Sequence, residues 1–287
     1  HVLSLMTLAQ KYRKTKTPLY ATFVDYKKAF DSVPRQALFL KLSKLGICGN
    51  FYNVLRNMYS NSTAQIKLSG HLSHPFRIRK GTEQGHPLSP ELFKLFLLEL
   101  SDTLNTKDHK NPPYLGNIPV THLLWADDLI LLSLNTQDAQ NQVNKLHNYC
   151  QKWGLEVNSS KTKLMIFNNR HNQQFSLKLG QEVIQQVDNY CYLGLNISST
   201  GDFSKAASND LTIKATRAMY GLRGTIMKDQ LSFNSTLSLF NSLVKPIALY
   251  GAPIWSPQLP DAKTTTKNIG SNDPKLIRKL SIIKLNR

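Results

Sequence analysis

Apolar residues along this chain change their spacing several times, and each change marks an element. Leu19 to Asp25 is a continuous apolar run closed by a carboxylate, which predicts a buried strand. Pro34 opens a helix that reaches about Leu45 and is stopped by Gly46. A second helix over about 50–59 puts Phe51, Val54, Leu55 and Met58 on one face. Alternation over 65–68 and 75–79, with Ser69 and Gly70 as turn residues, predicts a hairpin. The glycine-bounded loop 81–85 then leads to Ser89 and Pro90, an N-cap and first-turn pair for a helix ending near Leu104.

Two apolar strands follow over 122–134, with Asp127 and Asp128 at the bend between them. A helix is expected from about Thr136 to Trp153, with Val143, Leu146 and Cys150 inward and Gly154 as its stop. Strands recur at 163–167, 175–179 and 190–197. From about Ser204 the spacing turns helical, with one helix to about Leu222 and another from Asn234 that Pro246 must end or bend. The pattern is that of an α+β domain over 1–198, a small helical region over 199–256 and a polar basic tail over 257–287.

With 287 residues and 41% hydrophobic composition, the chain can bury a real core. Cys48, Cys150 and Cys191 stand apart and form no C-x-x-C pair, which points to a reducing, intracellular setting without a disulfide frame or a cysteine-rich zinc site. The longest apolar stretches are too short to span a bilayer, so no membrane segment is expected. The opening HVLSLMTLAQKYRKTK has neither an initiator methionine nor a cleavage pattern and reads as the middle of a longer protein. The formal charge of +18 is uneven: 14 basic and 2 acidic side chains over 1–80, 9 and 11 over 81–199, 13 and 5 over 200–287. Two basic flanks around a slightly acidic middle suit a chain that grips phosphates outside and holds metal within.

Asp25 closes one apolar strand and Asp127–Asp128 sit where another pair turns, so neighbouring strands would bring three carboxylates together. Like charges that close are tolerable only when cations neutralise them, and an all-oxygen ligand set suits Mg²⁺ or Mn²⁺. A pair of such ions can bind both an attacking hydroxyl and a leaving pyrophosphate. A lone Asp–Asp pair would be an ordinary exposed turn; its surroundings change that reading. Phe30, five residues after Asp25, is placed either to lie beneath a nucleotide sugar or to fill the core beside Ala29. Gly81 and Gly85 permit close backbone approach, Gln84 can touch sugar or base, and Lys161 can offer a proton or charge to a departing pyrophosphate.

In order, these pieces resemble the reverse transcriptases of non-LTR, LINE-like retrotransposons. FVDYKKAFDSV is similar to motif A, GTEQGHPLSPELF to motif B, WADDL to motif C, GLEVNSSKTKLM to motif D and YLGLNI to motif E, and LVKPIALYGAPIW is similar to a stretch in or after the thumb. The resemblance implies a right-hand polymerase palm, an antiparallel sheet backed by helices, followed by a helical thumb. It makes Asp25, Asp127 and Asp128 the metal site for two Mg²⁺ or Mn²⁺ ions. Phe30 becomes the steric gate, Gln84 and Gly85 contacts of the incoming dNTP, Lys161 the lysine near the pyrophosphate, and Tyr192, Leu193 and Gly194 the primer grip. Trp125 stands where the family usually has Phe or Tyr, and the fingers segment and an endonuclease would precede residue 1.

The activity so implied is RNA-directed DNA polymerisation, with an RNA template, a DNA primer and dNTPs as partners. The alternative is an inactive nucleic-acid-binding retrotransposon remnant without fingers. A viral RNA polymerase fits less well, because Ala126 stands where glycine precedes its Asp pair and because of Phe30. A group II intron maturase would share the palm, but AFDSVP and GLEVNSSKT look more LINE-like.

Overall fold

The computed structural model describes residues 1–82, 85–105, 109–169, 174–201, 203–228 and 231–255. They form two compact units that divide between Asp188 and Asn189. The polar tail lies outside the described residues.

The first unit is built on strand Leu19–Val24, whose six residues are all buried. Burial on both faces requires an unbroken apolar run rather than alternation, and LYATFV supplies it with only Thr22 as a polar member. It lies antiparallel to Asp128–Ser133 on one side and to Lys163–Phe167 on the other. His122–Trp125 extends the sheet beyond Asp128–Ser133, and Glu182–Gln186 with Leu177–Leu179 extends it beyond Lys163–Phe167. Six strands result, antiparallel throughout except for the parallel pairing of Lys163–Phe167 with Glu182–Gln186.

Helices Ser89–Leu104 and Thr136–Trp153 pack on each other, and their buried residues share one core with Tyr20, Val24, Leu129, Leu131, Leu164 and Ile166 of the sheet. The second of these helices has the predicted bounds because its ends are chemically marked. Asn135 accepts the Asp138 N–H at 2.7 Å and donates back to the Asp138 carboxylate at 2.8 Å, while Gly154 adopts the left-handed φ of 70°. Among the described residues no helix is long and apolar enough to cross a membrane.

Several predicted elements are redrawn. The turn at Ser69–Gly70 forms, but it joins Lys67–Leu68 to His71–Leu72, and the outer pairing is Thr63–Ala64 with Phe76–Arg77. In helix Gly49–Ser60 the inward residues are Leu55 and Tyr59, while Phe51, Val54 and Met58 are exposed. Two apolar stripes run along that helix, and the one carrying Tyr52 and Tyr59 is chosen because both rings meet Phe39 edge-on. Helix Val2–Lys14 was not anticipated, although Leu5, Leu8, Ala9 and Tyr12 are buried at helical spacing.

In the second unit the single strand foreseen over 190–197 is a hairpin, Asn189–Tyr192 with Leu195–Ser198. It packs with helix Phe203–Lys228, so the hairpin groups with the helices and the border falls before the expected 198/199. Helical structure runs through Pro246 and ends at Ala248. The wider π-turn Phe240–Val244 precedes the proline, accommodating a residue that has no N–H to give and whose ring crowds the carbonyl four residues back.

Lys41, on helix Arg35–Lys44, is a buried lysine on the helical side of the first unit. Its ammonium donates to the Phe96 carbonyl at 2.8 Å, lies 3.3 Å from Glu99 and stands 4.0 Å from the centre of the Trp153 ring. Burial pushes its pKa down to about 8 despite Glu99. Unfolded chains hold this proton to about pH 10.4. The unfolded state therefore binds more protons between those values, and this group's contribution to stability rises with pH across that window. In Lys41→Met the Tyr149 hydroxyl still donates to the Phe96 carbonyl at 3.0 Å, so no acceptor is orphaned. The variant should be at least as stable as the parent at pH 7, and the parent should gain on it steadily towards pH 10. Denaturant melts of both proteins across that range check this, and a pH-independent gap refutes it.

Candidate active site

The end of the central strand sets the site. Val24 pairs with Leu129, so one further register step brings Asp25 opposite Asp128. Trp125 pairs with Asp128, leaving Ala126 and Asp127 as a two-residue hairpin turn. Ala126 takes φ +52° and Asp127 does not take positive φ, the pattern of a type II′ turn. That conformation is disfavoured for any residue with a β-carbon, and alanine carries the smallest one.

The segment after Gly154 is stitched along Asp25. The Asp25 N–H donates to Thr162 Oγ1 at 3.2 Å, and its carbonyl accepts the Asn158 N–H at 2.7 Å. Tyr26 bridges to Val157, and the Lys27 N–H donates to the Glu156 carbonyl at 2.8 Å. Lys161 is exposed in the turn between Asn158 and Thr162, next in sequence to the residue that holds Asp25. Thr162 and Asn158 were not singled out from sequence; their proximity to Lys161 was the available signal.

Asp25, Asp127 and Asp128 are all half-buried. The carboxyl of Asp128 titrates above the usual carboxylate range, first through burial and then through the negative charges of Asp127 and Asp25. The buried Tyr26 phenol is pushed well up, mainly by burial, with Cys150, Tyr149 and Asp127 adding to it. The three aspartates thus share one electrostatic field, and hard divalent cations are the natural partners of such oxygens. They do not form a ready-made cage: among the described residues no three His, Cys, Asp or Glu side chains are grouped so as to hold a metal ion.

Phe30 is half-buried on helix Ala29–Ser32, its ring 4.9 Å from that of Phe93. It therefore packs against the core while remaining partly accessible. The glycine loop closes over the same segment: the Thr82 N–H donates to the Phe30 carbonyl at 2.9 Å and the Gly81 N–H to that of Val33 at 2.8 Å. Gly81 has φ +85°, and a β-carbon there would lie 2.8 Å from the Asp31 backbone, so only glycine fits. The buried Arg35, another residue the sequence did not single out, donates from Nε to the Gly81 carbonyl at 3.0 Å and from its terminal nitrogen to the carbonyls of Ile78 and Tyr59. Gln84 lies outside the described residues. Gly85 is exposed, with φ +85° and open space where a β-carbon would be.

In the second unit, Leu193 and Gly194 form the turn of the Asn189–Ser198 hairpin, with φ +48° and +79°. Tyr192 is buried, so the turn presents Leu193 and Gly194 while Tyr192 anchors it.

Residues 2–197 match the family model described as reverse transcriptase (RNA-dependent DNA polymerase). Among relatives, the chain is 26% identical over 207 residues to the Retrovirus-related Pol polyprotein from type-2 retrotransposable element R2DM of Drosophila melanogaster, covering 69% of this chain and 19% of that protein. It is 21% identical over 283 residues to the RNA-directed DNA polymerase from mobile element jockey of the same species, covering 96% of this chain and 30% of that protein. The chain thus spans less than a third of the length of either. A solved telomerase from Candida albicans, in complex with a telomeric RNA fragment, superposes with a TM-score of 0.52 at 13% identity, over 93% of this chain and 51% of that one. At that identity the likeness speaks for the fold, which is that of a polymerase palm. On the family match over residues 2–197, the chain belongs to the reverse transcriptase family.

Proposed function

We propose that this chain is the polymerising part of an RNA-directed DNA polymerase, extending a DNA primer on an RNA template. The observation that supports the reading is the register pairing Val24 with Leu129, next to which Asp25 and Asp128 stand at one end of neighbouring strands with Asp127 in the adjoining turn, in a chain of the reverse transcriptase family. In the reaction the primer 3′ oxygen forms a bond to the α-phosphorus of a dNTP, the bond to pyrophosphate breaks, and the 3′ hydroxyl proton is lost.

Asp25 and Asp127 would hold two Mg²⁺ or Mn²⁺ ions, with Asp128 as the third carboxylate. When bound, such ions lower the charge on the reacting phosphate and the leaving group. The chain's own part is positioning and electrostatics. Thr162 and Asn158 fix the backbone of Asp25, and Lys161 stands next to Thr162, available to the pyrophosphate. The half-buried ring of Phe30, backed by Phe93, is suited to lie against the sugar, where a 2′ hydroxyl would overlap it. Gln84 and Gly85 would meet the dNTP, and the Tyr192–Gly194 turn would hold the primer end.

Primer extension with an RNA template, dNTPs and Mg²⁺ tests the reading. The parent should add nucleotides, and Asp127→Asn should lose at least about 100-fold in rate, the scale of removing one key charge-stabilising group. With metal chelated, Asp127→Asn should melt no lower than the parent, because it removes a charge from a repelling set. Salt-sensitive binding of primer–template without any extension would favour the inactive remnant instead.

Phe30→Ala should admit ribonucleotides, seen as a collapse of the dNTP over rNTP preference opposite the same template base. Because the ring is only half-buried, the stability loss should stay below the roughly 3 to 5 kcal/mol of a fully buried phenylalanine. A loss in that range with selectivity unchanged would make Phe30 a core residue only.

A further inference from the structure

The Leu193–Gly194 turn raises a physical question. Both central residues have positive φ, the type I′ geometry, and the sequences that favour it are Asn-Gly, Asp-Gly or Gly-Gly. Leucine at φ +48° is strained, so the turn needs support from elsewhere. The support visible in the same unit is Tyr250. Its hydroxyl donates to the Leu193 carbonyl at 3.0 Å. Its ring edge lies 3.2 Å from where a β-carbon on Gly194 would be, so the ring is seated against the turn. Gly251, at φ +66°, brings the next backbone step so close to Leu195 that a β-carbon would stand 2.9 Å from a Leu195 methyl.

Tyr250 is itself held. It follows the short helix Lys245–Ala248, its N–H donates to the Ile247 carbonyl, and Ala252 just beyond it is buried. On the other side the hairpin is fixed by the buried side chains of Tyr192, Leu195 and Ile197. The turn is thus gripped between a buried strand pair and an aromatic side chain that arrives from 57 residues later in the chain.

We propose that Tyr250 is a positioning residue, locking the Leu193–Gly194 turn through its hydroxyl and ring and so fixing where that turn holds the primer 3′ end. The second half rests on the primer-end reading of the turn given above. Tyr250 need not touch the primer; it acts through the backbone of Leu193 and Gly194. Half of its surface is exposed, so replacing it removes little core.

Two measurements on the parent chain, Tyr250→Phe and Tyr250→Ala separate the halves. Hydrogen exchange of the Leu195 amide, in the pair that closes the hairpin with Tyr192, should speed up about 3- to 10-fold in Tyr250→Phe, the scale of one neutral hydrogen bond, and further in Tyr250→Ala. A primer whose 3′ nucleotide carries 4-thiothymidine should photo-crosslink to residues 193–194 in the parent and lose yield in the same order, with dNTP KM unchanged. Unchanged exchange and crosslinking in both variants overturn the proposal. Faster exchange with undiminished crosslinking leaves Tyr250 a turn support and overturns its role in primer placement. If the parent itself never crosslinks at the turn, the primer-end reading fails, and exchange still decides whether Tyr250 holds the turn.

Discussion

The pairing of strand Leu19–Val24 with Asp128–Ser133 is the constraint on which the rest of the site depends. Side chains alternate along a strand, so slipping this register by one residue would exchange Leu129 and Leu131 with Ile130 and Leu132 between two differently packed buried faces and take Asp25 out of line with Asp128. Close packing of each face therefore holds the register, and the register brings the acidic residues to the same end of the sheet. The repulsion felt by Asp128 is a local cost of that register, offset by the apolar burial behind it.

Around this pair, the site is secured by hydrogen bonds to backbone groups, made partly by other backbone N–H groups and partly by the side chains of Thr162 and Arg35. Asn158 and Thr162 fix Asp25, the Gly81–Thr82 loop bonds to Phe30 and Val33, and Arg35 gathers the carbonyls of Gly81, Ile78 and Tyr59. The bonds given by the backbone N–H groups of Asn158, Gly81 and Thr82 tolerate side-chain change, whereas those of Thr162 and Arg35 are lost when the side chain is replaced. The positions that cannot vary freely are those where the backbone itself is constrained, such as Gly81 against Asp31.

The second unit shows the same economy in a different form. Its hairpin is fixed from below by Tyr192 and Leu195 and from above by Tyr250, and its helices pass Pro246 by widening to a π-turn. The hairpin accepts local strain at Leu193 in return for a tight turn.

Much of this was legible in the amino-acid sequence. Helix Thr136–Trp153 could be read to the residue because Asn135 and Gly154 are chemical end marks, and the carboxylates could be paired because apolar runs ended on them. Five ordered motifs carry the family resemblance by themselves. The sequence could not say which apolar stripe of helix Gly49–Ser60 turns inward, since both stripes have helical spacing and only the rings of Phe39, Tyr52 and Tyr59 choose between them. Nor could it show that residues 189–198 fold back as a hairpin, because Leu193 is a poor turn former and its geometry is supported by Tyr250, distant along the chain. Local rules determine what depends on a residue and its near neighbours; register, stripe choice and supported strain depend on partners that only the folded chain brings together.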